Sequence, residues 1–217
     1  MNWTIKPDLT EADVMRIRES KIIAVDTETA GLNPARDALY VMQICDKNGQ
    51  TEILRNRDWK AADNIRDILI DPTITKVIQF AIMDCGFIVK HMGVMPQNVY
   101  CTKIASKLAR TYAPSHSLSS LVGELIGTPL DKKQQSTFWG REELSAEQLE
   151  YASADVKWLL GIKDTLENIL ETKGTLPTGI SYTELNRICQ SFIPSLVHLW
   201  LNGWDFGKED PASLFGR

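Results

Sequence analysis

The apolar positions of the chain fall into two rhythms. Lys21–Asp26, Leu39–Cys45, Thr51–Leu54 and Thr75–Phe80 are short apolar runs, several rich in β-branched residues, and predict buried strands. Asp46-Lys47-Asn48-Gly49 is a tight turn, so the second and third runs pair as an antiparallel hairpin. Helical spacing predicts Ala61–Ile70, stopped by Asp71-Pro72, and Met83–Met92, ended by Gly93. Val99–Cys101 reads as a last short strand, and from Thr102 the pattern is helical. Thr102 caps Lys103–Arg110, and Ser117 caps a helix through Ile126 that Gly127 ends. Ser145 and Gln148 form a capping box for a helix running through Tyr151 and Asp155 to Thr172. Ser181 opens a final helical segment, interrupted near Pro194 and ended at Gly203-Trp204.

Strands interleaved with helices, then helices alone, predict an α/β domain with a mixed central sheet flanked by helices. The expected division is a domain over 1–174 and a helical C-terminal extension over 175–217. That extension carries Ile188, Phe192, Leu196, Leu199, Trp200 and Trp204, an apolar surface that must pack on its own domain or on a neighbouring subunit.

Composition changes this picture little. With 217 residues, 43% hydrophobic and 24% charged, the chain is an ordinary globular one. No run approaches the ~18 apolar residues of a membrane span, and Met1–Glu11 has no apolar stretch of a signal peptide. Cys45, Cys85, Cys101 and Cys189 show no metal-ligand spacing and read as buried thiols of a reducing, cytoplasmic compartment. A net charge of −4 argues against a protein that grips long nucleic acid through a broad basic face.

The candidate chemistry is acidic. Asp26 and Glu28, one residue apart at the end of a strand, share a face. Hard divalent cations need such carboxylates, although a polar strand end looks the same. Asp84 lies at the start of a helix, where an acid also favours the helix dipole. Tyr151 and Asp155, at i and i+4, project from one helical face. Each signal alone is weak. In combination they supply carboxylates for two divalent ions, which clamp the attacking and leaving oxygens of a phosphoryl displacement, and a phenol to orient the water.

The pattern Asp26-x-Glu28, Asp84, Tyr151-x3-Asp155 resembles the DEDDy 3′–5′ exonucleases of the RNase H-like (DnaQ-like) superfamily. Val25–Leu32 resembles the first exonuclease motif of RNase D relatives. Gly93–Pro96, Cys101–Leu108, Lys133–Ser136, Phe192–Pro194 and Gly203-Trp204 resemble the small NrnC-type RNases, so the likeness spans nearly the whole chain. It implies a 3′–5′ exoribonuclease that uses two Mg²⁺ or Mn²⁺ ions to finish very short RNAs, down to dinucleotides. It also implies a homo-oligomer, an octameric ring. Carried over by position, Asp26, Glu28 and Asp155 hold the metals, Asp84 acts at the second one, and Tyr151 positions the water. Leu32 wedges against a base, unless it is a core plug, and Thr27 lies beside the substrate. Two positions depart from the family: Gln79 stands where relatives often have His, and Phe138 where they have a polar residue.

The substrate side is more open. Lys103, Lys107 and Arg110 form one helical stripe, which grips phosphates or is merely a solvated face. His116 lies in the same stretch, and Lys132, Lys133, Gln135 and Ser136 form a polar loop suited to a phosphate. Trp139 stacks on a base or is buried. Residues 99–141 carry six Lys or Arg against two acids, so this segment is basic in an acidic chain. A few local cations suit a substrate of one or two phosphates. The competing readings are an RNase D-like enzyme on longer RNA or DNA ends, and a non-catalytic RNA-binding protein.

Overall fold

The computed structural model describes residues 5–130 and 137–202. Its elements in chain order are β1 (Ile5–Lys6), α1 (Glu11–Ser20), β2 (Ile22–Thr29), β3 (Leu39–Asp46), β4 (Thr51–Leu54), α2 (Asp63–Ile70), β5 (Thr75–Ile78), α3 (Ala81–Met92), β6 (Val99–Cys101) and α4 (Thr102–Ala109). Then follow α5 (Leu118–Leu121), continued by a π-helical stretch over Val122–Ile126, and α6 (Ala146–Lys157), α7 (Leu159–Thr172), α8 (Tyr182–Ser191) and α9 (Ile193–Leu201). Six strands form one mixed sheet in the order β1-β4-β3-β2-β5-β6, with β2, β3 and β4 antiparallel and the outer pairs parallel.

Alternation along β2 decides what each face sees. Ile23 and Val25 enter a core built with α1, α2, α3 and α9. Ala24 enters the opposite core, built with α4 and α7, and α6 covers β2 and β3 on that side. Asp26 and Glu28 therefore face α6, whereas Thr27 faces α3.

Several expectations need correction. Thr10 and Asp13 form a capping box that opens α1, an element unread in the sequence because Asp replaces the usual Glu or Gln. The long helix expected through Thr172 breaks at Trp158, where ψ relaxes to −13° without any Gly or Pro to mark it. Thr102 does not cap α4: its hydroxyl bonds the Ile78 carbonyl and Gln79 instead. The expected end at Gly203-Trp204 lies outside the described residues.

The described part of the C-terminal extension packs on its own domain. Ile193, Leu196 and Val197 are buried in the larger core, and Trp200 lies against Gly86 of α3. A Cβ at Gly86 would meet the indole at 2.6 Å. Gly86→Ala should therefore displace α9 and cost ~1–3 kcal/mol, or a melting temperature lower by ~2–10 °C. A thermal melt checks this, and the pair Gly86→Ala with Trp200→Leu should recover part of the loss.

Candidate active site

The site grows from the end of β2. Asp26 pairs across the ladder with Gln43 of β3, and a bulge at Glu28/Thr29 ends the pairing just beyond. Bulges of this kind re-aim side chains at sheet ends. The capping box of Ser145 and Gln148 starts α6 so that Tyr151 and Asp155 hang over the same strand end. Oxygens of Asp26, Glu28 and Asp155 lie within 4.8 Å of one another. Asp84 reaches the cluster from the other face of the sheet. Phe80, in the left-handed conformation at φ 59°, turns the chain from β5 into α3, and the Thr27 hydroxyl then donates to Asp84 Oδ1 at 2.7 Å. That separate origin explains why Asp84 stands outside the tight group of three.

Gln43 is a site residue the sequence reading missed. Fully buried, it donates from Nε2 to Asp26 Oδ2 at 2.6 Å and to Glu28 Oε1 at 3.5 Å. Its signal was a lone amide in the otherwise apolar run Val41–Cys45.

Crowding of like charges in a dry place sets the electrostatics. Burial, reinforced by Asp84, Asp155 and Glu28, pushes Asp26 well above the carboxylate range. Burial and the charges of Asp155 and Asp84 push Glu28 up to about 9. Burial pushes Asp84 up to about 7, against the Thr27 hydrogen bond. Tyr151 is raised too, by burial and by its hydrogen bond and charge interaction with Asp155, so the phenol stays protonated. Carboxylates that suppress one another's ionisation this strongly are a donor set built for a divalent cation.

This has a measurable consequence. Without metal, Glu28 and Asp84 hold more protons folded than unfolded, from their ordinary range up to about 9 and about 7 respectively. Stability must therefore fall as pH rises through that window. Melts in EDTA should show the loss between about pH 5 and pH 9, and Mg²⁺ should restore more stability at the alkaline end, by ~4 °C or more. A metal effect independent of pH would contradict this reading.

The cluster forms the floor of an open groove of about 760 Å³. Thr27, Leu32, Lys103, Lys107 and His116 all line it. Leu32 is 72% exposed, so it is no core plug. Lys103 Nζ stands 3.8 Å from the centre of the Phe80 ring.

A 3′–5′ exonuclease family model matches residues 2–171. The chain belongs to that 3′–5′ exonuclease family. Its mixed sheet flanked by helices is the RNase H-like, DnaQ-like fold, and its acids and tyrosine are consistent with a DEDDy-type protein. Ribonuclease D of Escherichia coli K12 is 29% identical over 203 residues, covering 91% of this chain and 53% of that protein. Ribonuclease D of Granulibacter bethesdensis is 32% identical over 164 residues, covering 74% and 40%. The chain thus spans about half the length of the curated relatives it matches. Among solved structures, Brucella melitensis NrnC superposes with a TM-score of 0.85 at 38% identity, covering 94% of this chain and 95% of that one. That protein has also been solved with bound Mg²⁺ and bound to pGG.

Two expected substrate residues are placed elsewhere. Arg110 is fully buried and turned away from the groove, bound to Glu124 and Ser106, because the C-terminus of α4 directs position 110 inward. Trp139 is 2% exposed and packs behind Tyr151, with ring centres 6.1 Å apart, so it supports the tyrosine and presents no face to a base. Phe138, by contrast, is 57% exposed and meets Tyr40 edge-on. Lys132, Lys133, Gln135 and Ser136 lie outside the described residues.

Proposed function

We propose that this protein is a metal-dependent 3′–5′ exoribonuclease that hydrolyses very short RNAs, down to dinucleotides, to 5′-mononucleotides. The observation that carries the reading is the gathering of Asp26, Glu28 and Asp155 within 4.8 Å at the floor of the groove, with Tyr151 beside them. Asp26, Glu28 and Asp155 would hold divalent ions, Mg²⁺ or Mn²⁺, with Asp84 contributing to a second one. Two such ions, if bound there, would offset the carboxylate charge and supply charge stabilisation to a phosphoryl displacement. Gln43 keeps Asp26 and Glu28 in register, and Thr27 keeps Asp84 in place. Tyr151, beside these carboxylates, would orient the attacking water as a hydrogen-bond donor or acceptor. Leu32, exposed at the rim, is suited to wedge against a base, and Lys103 and Lys107 to meet phosphates.

Support for short substrates comes from the likeness to NrnC, a protein solved with pGG, and from the overall acidity of the chain. The RNase D likeness favours a second reading, longer RNA ends. Purified protein given a labelled dinucleotide should release 5′-mononucleotides with Mg²⁺ or Mn²⁺, and none with EDTA. EDTA-resistant release would overturn the metal-dependent reading.

The four cysteines are free and mostly buried, which fits a cytoplasmic protein. No described helix is long and apolar enough to cross a membrane. Exposed Phe192 (50%) and Leu199 (37%) support association into a homo-oligomer, an octameric ring in this reading. Light scattering would give the mass.

A further inference from the structure

His116 sits in a polar relay that leads away from the groove into the protein. Its carbonyl accepts from Gln79 Nε2 at 2.8 Å, and Gln79 Oε1 accepts in turn from Thr102. Its ring Nδ1 lies 2.8 Å from Ser106 Oγ, which is fully buried. Ser106 Oγ also accepts from Arg110 Nη1 at 2.9 Å, and the guanidinium is anchored on Glu124. Both the backbone and the ring of this groove residue are therefore fixed from behind.

The hydrogen-bond arithmetic selects a tautomer. The Ser106 oxygen accepts from the Arg110 guanidinium, and its own proton still needs an acceptor. Among the described residues, the ring nitrogen of His116 is the acceptor the structure supplies. Nδ1 then accepts, and the ring proton resides on Nε2. Burial together with Arg110, Lys107 and Lys103 lowers the imidazole pKa, which keeps the ring neutral.

We propose that Ser106 and Arg110 are positioning residues that lock His116 as a neutral Nε2–H donor toward an oxygen of the bound nucleotide. A neutral donor of fixed direction supplies orientation to a phosphate or sugar oxygen, while Lys103 and Lys107, which line the same groove, supply charge. This inference rests on the groove being the RNA site. It also gives a role to Gln79, the departure from the family pattern, which holds the backbone of the segment that carries His116.

Imidazole ¹⁵N spectra of the metal-free, RNA-free protein read the lock directly, since the chain has 3 histidines. Wild type should show His116 with Nε2–H and an accepting Nδ1, and Ser106→Ala should show mixed tautomers. In kinetics, His116→Ala should raise KM for a dinucleotide ~10-fold with kcat little changed, and Ser106→Ala should raise it ~3-fold. In the His116→Ala background, Ser106→Ala should add nothing. Ser106→Cys, similar in volume and a weaker donor, should shift the tautomers if the alanine variant fails to fold. An Nδ1–H tautomer in wild type, or additive effects of the two alanines, would overturn the inference. A wild type that keeps the tautomer yet turns over no RNA would overturn the proposed function instead.

Discussion

Asp26→Asn should abolish turnover, by ~10³-fold or more, while raising the melting temperature of the metal-free protein. Both effects come from the same charge. Asp26 is the residue on which the repulsion of Glu28, Asp84 and Asp155 converges, and burial strengthens it. Asparagine keeps the shape and the side-chain oxygen, removes the unfavourable ionisation, and loses the charge that would hold a divalent ion. Several kcal/mol of transition-state stabilisation lost corresponds to at least that rate factor. Turnover and thermal melts in EDTA check the two halves. A variant that is inactive and also less stable without metal would show that Asp26 acts as a structural residue.

Tyr151→Phe should lower kcat by ~10²–10³-fold with little change in metal affinity or in KM. The phenol is bonded to Asp155 and keeps its proton well above its ordinary range. In the proposed function it orients the attacking water. Trp139 packed behind the ring fixes its position, so phenylalanine should occupy the same place. The pH–rate profile of the variant should keep the shape of the wild type, at reduced height. A profile that loses an alkaline limb on substitution would mean that the phenol titrates during catalysis.

How much of this was legible in the sequence differs by residue. Asp26, Glu28, Tyr151 and Asp155 were readable because strand alternation and the i, i+4 spacing of a helix fix relative direction locally, and the structure gathers them. The strands were readable from their β-branched runs, and the breaks at Gly93 and Gly127 from glycines that do adopt positive φ. Arg110 was misplaced because a Lys/Arg stripe says nothing about where its helix ends. One residue past α4, the side chain turns into the protein. Trp139 was left open because indole suits both a base and a core, and only the three-dimensional position of α6 decides. Gln43 passed unnoticed because its partner, Asp26, lies on a different strand, and register is a tertiary property. Thr27 read as a substrate neighbour, and its hydroxyl donates to Asp84 of α3, on the face of the sheet opposite Asp26 and Glu28.

The most direct test of the central claim is a length series. End-labelled RNAs of two, three, five, seven and twenty nucleotides, at equal concentration with Mg²⁺ or Mn²⁺, should show the fastest initial rates for the shortest, with 5′-mononucleotides as product. Preference for the twenty-mer, or no metal-dependent release from any of them, would contradict the account.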